Sequence, residues 1–169
     1  GRNPNKPVPI QSNSSGIDVM NKISALASVA LLTLPSFALA DPYAVHESES
    51  DFDTVLDAAK NAIAERGLYI NNIMHLGEML ERTGKDLGIG GPIYSRAESI
   101  EFCSAILARK MAEENPNRLV NCPFILSIYT LPGQEGKTYV VYRAIPEEET
   151  ANSAAMREVA EMLKGVADG

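Results

Sequence analysis

Two strand-like runs narrow the possible folds more than anything else in this chain. FILSIYTL (124–131) and KTYVVYRAI (137–145) are separated only by Pro132-Gly133-Gln134-Glu135-Gly136. Both are rich in β-branched and aromatic residues, and Pro and Gly mark the turn between them. A parallel pair needs a crossover of about a dozen residues or more, so this loop is long enough only for an antiparallel hairpin. Alternation along the first run sends Phe124, Leu126 and Ile128 to one face, the core face. Tyr129, Tyr139 and Arg143 are candidates to share one face of the hairpin. There they form either a ligand surface or a solvated sheet face covered by long side chains.

Upstream, YAVHESES reads as a first strand. Ser50 or Asp51 then caps a helix over 51–66, where Phe52, Val55, Leu56, Ala59 and Ile63 recur at helical spacing and Gly67 closes the end. LYINNIMHL reads as a strand. A short helix over Glu78–Arg82 and a Gly-rich loop follow. PIYSRAESIEF reads as extended, with a turn near Ala97. CSAILARKMAEEN is helical, with Ile106, Leu107 and Met111 as its apolar face. Met156, Val159, Ala160 and Leu163 mark a C-terminal amphipathic helix. This order implies an α+β fold, an antiparallel sheet with helices packed on one face. Phe52, Leu56, Ile63, Leu126, Ile128 and Val140 are its expected core.

The N-terminal region addresses the compartment. Met20-Asn21-Lys22 is followed by the apolar run ISALASVALLTL, a break at Pro35, and small residues at Ala38 and Ala40. This pattern predicts a secretory signal over 20–40, cleaved after Ala40. The run from Ile23 to Leu34 falls short of the roughly 20 apolar residues of a spanning helix. Residues 1–19 read as disordered read-through or an added leader. Three of the 15 basic residues and one of the 22 acidic ones precede Asp41, leaving 12 and 21 and a formal charge of −9. Nucleic acid and anionic membrane, which need clustered Lys and Arg, are therefore poor partners. The expectation is a periplasmic or secreted soluble protein.

The segments DFDTVLDAAKNAIAERGLYI, FCSA and CPFILSIYTLPGQEGKTYVVYRAIP, in that order, resemble the DUF302 family, a domain named for its unknown function. The resemblance spans about Tyr43 to Pro146. It implies a TBP-like α+β fold with a curved antiparallel sheet backed by helices, and it brings no catalytic residues with it. On this reading 41–146 is the domain, and 147–169 is a C-terminal linker and helix outside the family core. Cys103 stands in Phe-Cys-Ser-Ala where many members read Cys-Asn-Pro, and Cys122 precedes Pro123 instead of following it.

Cys103 and Cys122 are the two cysteines of the chain. In an exported protein they read first as one structural disulfide. A redox pair is the alternative, although Cys-x-x-Cys is absent. Met74, His75 and Met79 are a second candidate, since thioether and imidazole ligands suit copper or haem iron. The bland alternative is two core methionines and a hydrogen-bonded histidine. The glycines of GIGGPIY lack the context of a phosphate loop. Ser, His and Asp occur without a nucleophile elbow. The leading expectation is a non-catalytic protein that binds a small molecule or another periplasmic protein, with no cofactor demanded by the sequence. A metal- or haem-handling accessory protein using His75 comes second, and a thiol-disulfide oxidoreductase third.

Overall fold

The computed structural model describes residues 41–169. The expected leader (1–19) and signal (20–40) lie outside the described residues. The strands are β1 (Tyr43–Ser48), β2 (Tyr69–Met74), β3 (Arg96–Cys103), β4 (Phe124–Thr130) and β5 (Thr138–Arg143). The helices are α1 (Phe52–Glu65), α2 (Leu76–Leu87), α3 (Ala105–Glu114), α4 (Glu147–Asn152) and α5 (Ala154–Ala167), with a 3-10 turn at Pro116–Asn121. All five strands join one antiparallel sheet in the order β1-β5-β4-β3-β2. The expected α+β fold is the one that forms. Among the described residues no helix is long and apolar enough to cross a membrane.

The edge strands β1 and β2 are consecutive in sequence, so α1 has to carry the chain across the sheet. Its 14 residues span about 21 Å at 1.5 Å per residue. Four inter-strand spacings come to about 19 Å. The helix therefore matches the width it crosses. Asp51 starts it by accepting a hydrogen bond from the Thr54 backbone N–H at 3.0 Å, and Gly67 follows its end at φ 66°. That left-handed conformation suits a residue without a Cβ.

The core lies between one sheet face and helices α1, α3 and α5. Leu56 and Ile63 of α1, Leu107 and Met111 of α3, and Met156, Val159 and Leu163 of α5 meet Ile100, Phe102, Leu126, Ile128 and Val140 of the sheet. The six residues expected in the core are all buried. Ile106 is not, being 71% exposed. Leu107 and Met111, four residues apart, take the inward stripe of α3, and Ile106 lies one residue off it.

Three other expectations change. No turn interrupts the chain at Ala97, because β3 runs unbroken and is paired with β2 on one side and β4 on the other. The helix foreseen over 78–82 is longer, starting at Leu76 and stopping where Gly88 adopts φ 66°. Gly77 lets its first turn close on β3, since a Cβ there would lie 2.9 Å from the Ala97 nitrogen. Finally, Pro146 is not a packing boundary. Residues beyond it, Val166 included, belong to the same core.

Glu114 joins the end of α3 to the start of α5. Its carboxylate accepts from the Ser153 hydroxyl, the Ala155 backbone N–H at 3.0 Å and Arg118 at 2.5 Å. Ser153 in turn caps α5 by accepting from the Met156 N–H at 3.0 Å. The Ser153 hydrogen bond, then the Ala155 N–H and the Arg118 charge, hold the Glu114 carboxyl below the usual glutamate range. A carboxyl whose folded-state pKa is depressed stabilises the fold above its unfolded pKa, and that contribution is lost as pH falls through the folded value. Glu114→Gln should therefore melt at a lower temperature than wild type at neutral pH. The gap should narrow between about pH 5 and about pH 3. Thermal melts of both proteins across that range check this, and a gap independent of pH would contradict it.

Candidate functional site

The sheet face turned away from the core carries the side chains that alternate with the buried ones. Tyr129 and Tyr139 are direct register partners and stack at 5.0 Å between ring centroids, with Tyr94 tilted against Tyr129 at 5.3 Å. The Tyr139 hydroxyl donates to Gln134 Oε1 at 2.7 Å, which ties the stack to the hairpin loop. Partial burial, then the neighbouring Tyr94, Tyr139 and Tyr43 phenols, push the Tyr129 phenol up. Arg143 points to this same face but is four residues further along β5, about 13 Å away. The three residues expected to share a face do so, at opposite ends of it.

Around Arg143 the sheet rim opens into a cleft of about 450 Å³ where β4 begins and β5 ends. Tyr43, Ile125, Val141 and Leu163 line it from the sheet and α5, and Val120 lines it from the 3-10 turn. Tyr43 sits directly opposite Arg143 in the β1–β5 register. Asn121, Ser127 and Tyr142 add neutral hydrogen-bonding groups. Burial, and then the nearby Asp168 charge, push the Tyr142 phenol up, so it remains a protonated donor at neutral pH. The guanidinium of Arg143 is the one charged group in the lining, which holds no carboxylate.

The cysteines join in one disulfide, with their Cα atoms 6.3 Å apart. This separation lies within the range such a bond requires. Cys103 closes β3, and Ser104 caps α3 by accepting from the Leu107 N–H at 3.2 Å. Cys122 lies between Asn121 and Pro123, both of which line the cleft. The bond therefore fastens one cleft wall to the end of β3.

The histidines lie elsewhere. His75 stands at the start of α2, 61% exposed, with Nδ1 3.6 Å from Glu98 Oε1. Glu98 also receives Arg96 at 3.3 Å, and Arg96 stacks over the Phe52 ring at 4.0 Å. Met79 lies one turn along α2, its N–H donating to the His75 carbonyl at 3.2 Å. Met74 is opposite Ser99, so its side chain leaves the sheet on the face away from Ile100. Among the described residues no three His, Cys, Asp or Glu side chains gather closely enough to hold a metal ion. His46 Nδ1 lies 3.2 Å from Asp168 Oδ1 and its ring stacks on Tyr142 at 5.8 Å, an arrangement that ties β1 to the end of α5.

A family profile described as "Domain of unknown function DUF302" matches residues 44–168. The chain belongs to the DUF302 family. The match takes in α5, which agrees with its place in the core. A solved structure titled "Crystal structure of uncharacterized conserved protein DUF302 from Bacillus stearothermophilus" is similar at a TM-score of 0.60 and 15% identity, covering 76% of this chain and 98% of that one. At that identity the likeness supports the DUF302 fold alone. No curated protein matches the chain.

Sequence reasoning reached Arg143 and missed the rest of the cleft. The overlooked signal is Leu119-Val120, an apolar pair inside the polar segment NPNRLVNCP. The two are 61% and 86% exposed. The 3-10 turn that carries them buries no residue at all, so the disulfide supplies an anchor that packing does not. Closing a loop of this length stabilises a fold by about 3 kcal/mol in the chain-entropy account. The double variant Cys103→Ser/Cys122→Ser should fold, and its urea midpoint should drop by a corresponding amount. A midpoint equal to that of the oxidised wild type would mean that the bond adds nothing.

Proposed function

We propose that this DUF302 protein is exported and holds a small, largely apolar molecule in the rim cleft, without acting on it chemically. The observation that carries this reading is the lining of the cleft. Apolar walls with a few convergent hydrogen-bonding groups are the usual composition of a ligand site. The cleft offers no carboxylate, imidazole or thiol for acid-base or nucleophilic work. Export is supported by the signal-like run that ends at Ala40 and by the disulfide, since such bonds persist in oxidising compartments.

Two experiments test the two halves of this reading. Protein recovered from the exported fraction should have the intact mass of a chain beginning at Asp41. Retention of the 23–34 apolar run would reject cleavage there. For the cleft, the uncharged probe N-phenyl-1-naphthylamine should bind saturably and gain fluorescence. Ile125→Trp, at a position already 49% exposed, should abolish the gain while leaving the circular dichroism spectrum unchanged. Equal probe binding by the variant and wild type would place the site elsewhere.

A further inference from the structure

Arg143 is set apart from nearly every other cation of the protein. The described residues contain 12 Lys and Arg against 21 Asp and Glu, so acidic partners are plentiful. Lys60, Lys85, Arg96, Arg109, Lys110, Arg118, Lys137 and Lys164 all pair with carboxylates. Arg66 and Arg157 donate to backbone carbonyls. Among the described residues that leaves Arg82, on α2, and Arg143, which lines the cleft. In a chain this acidic, a cleft lining with one cation and no carboxylate is a local exception to the protein's charge balance.

From this charge complementarity we propose that the cleft takes a monoanion with an apolar tail, a medium-chain carboxylate in chemical class, with its carboxylate on Arg143. The inference rests on the cleft being a ligand site and adds the identity of the polar end. The planar guanidinium presents paired N–H donors that match the two carboxylate oxygens. The Tyr43 side chain stands directly across the register on the same face. The apolar walls formed by Val120, Ile125, Val141 and Leu163 cover the tail. A single cation suits a single negative charge. A phosphate monoester, which carries close to two charges at neutral pH, would leave one unbalanced in a protein that is already strongly acidic.

Decanoate and 1-decanol share a tail and differ in the head, so calorimetric titration of each into wild type, Arg143→Gln and Arg82→Gln separates the possibilities. Arg143 is exposed and its side chain makes no hydrogen bond or ion pair among the described residues, so Arg143→Gln should keep the wild-type melting temperature. Wild type should bind decanoate at least about tenfold more tightly than decanol, the scale of one charge-assisted pair. Arg143→Gln should lose that preference and keep its decanol affinity, and Arg82→Gln should retain the preference. Equal binding of the two ligands by wild type would overturn the anion assignment and leave the cleft reading standing. So would a preference that survives Arg143→Gln or that falls equally in Arg82→Gln. Failure of wild type to bind either ligand at millimolar concentration would overturn both.

Discussion

The fold depends on the burial of β4. It is the middle strand of the sheet, paired along its length with β3 on one side and β5 on the other, and Leu126 and Ile128 are completely buried. The helices that share its core come from distant parts of the sequence: α1 from near the start of the domain and α5 from its end. Each fully buried Leu or Ile contributes about 1.5–3 kcal/mol relative to exposure. Much of the value of α1 therefore lies in packing on this strand, while α5 completes the same core. Satellite contacts such as the Glu114 junction and the His46–Asp168 pair hold the ends of helices whose middles are held by the core.

This dependence explains how much of the architecture was legible in the sequence. The β4–β5 hairpin was readable because its loop is short and its runs are strongly β-prone. α1 was readable because its cap, its periodicity and Gly67 agree. The helix α2 was underestimated for a physical reason. Its N-cap residue, His75, makes no side-chain capping bond, and Gly77 and Gly84 dilute its pattern. It forms nonetheless because its first turn closes on β3, a contact no local window contains. The uninterrupted course of β3 through Ala97 has the same origin, since two neighbouring strands override a weak local preference. α5 falls outside the sequence resemblance, which ends at Pro146. Its apolar face settles the matter by completing the core.

The cleft was harder to foresee because it is made by an absence of packing. The Pro116–Asn121 turn buries none of its side chains and leaves Val120 almost fully exposed. A turn of that kind would ordinarily carry polar residues, or would collapse onto the nearest apolar surface. Here the covalent bond to Cys103 ties the end of the turn to the end of β3, next to the cleft-lining residues Asn121 and Pro123. The question raised by two cysteines in such a chain thus has a positional answer. The bond does not reinforce the core, which is already continuous, but fastens a turn that has no buried residue of its own.

The disulfide and the cleft adjoin at one rim of the sheet. Val120 and Ile125 both line the cleft and both stay exposed. Arg143 has no carboxylate partner among the described residues, which hold 21 acids and 12 bases. Each feature alone is a small departure from the most stable arrangement. They lie together at one rim of the sheet, beside the disulfide.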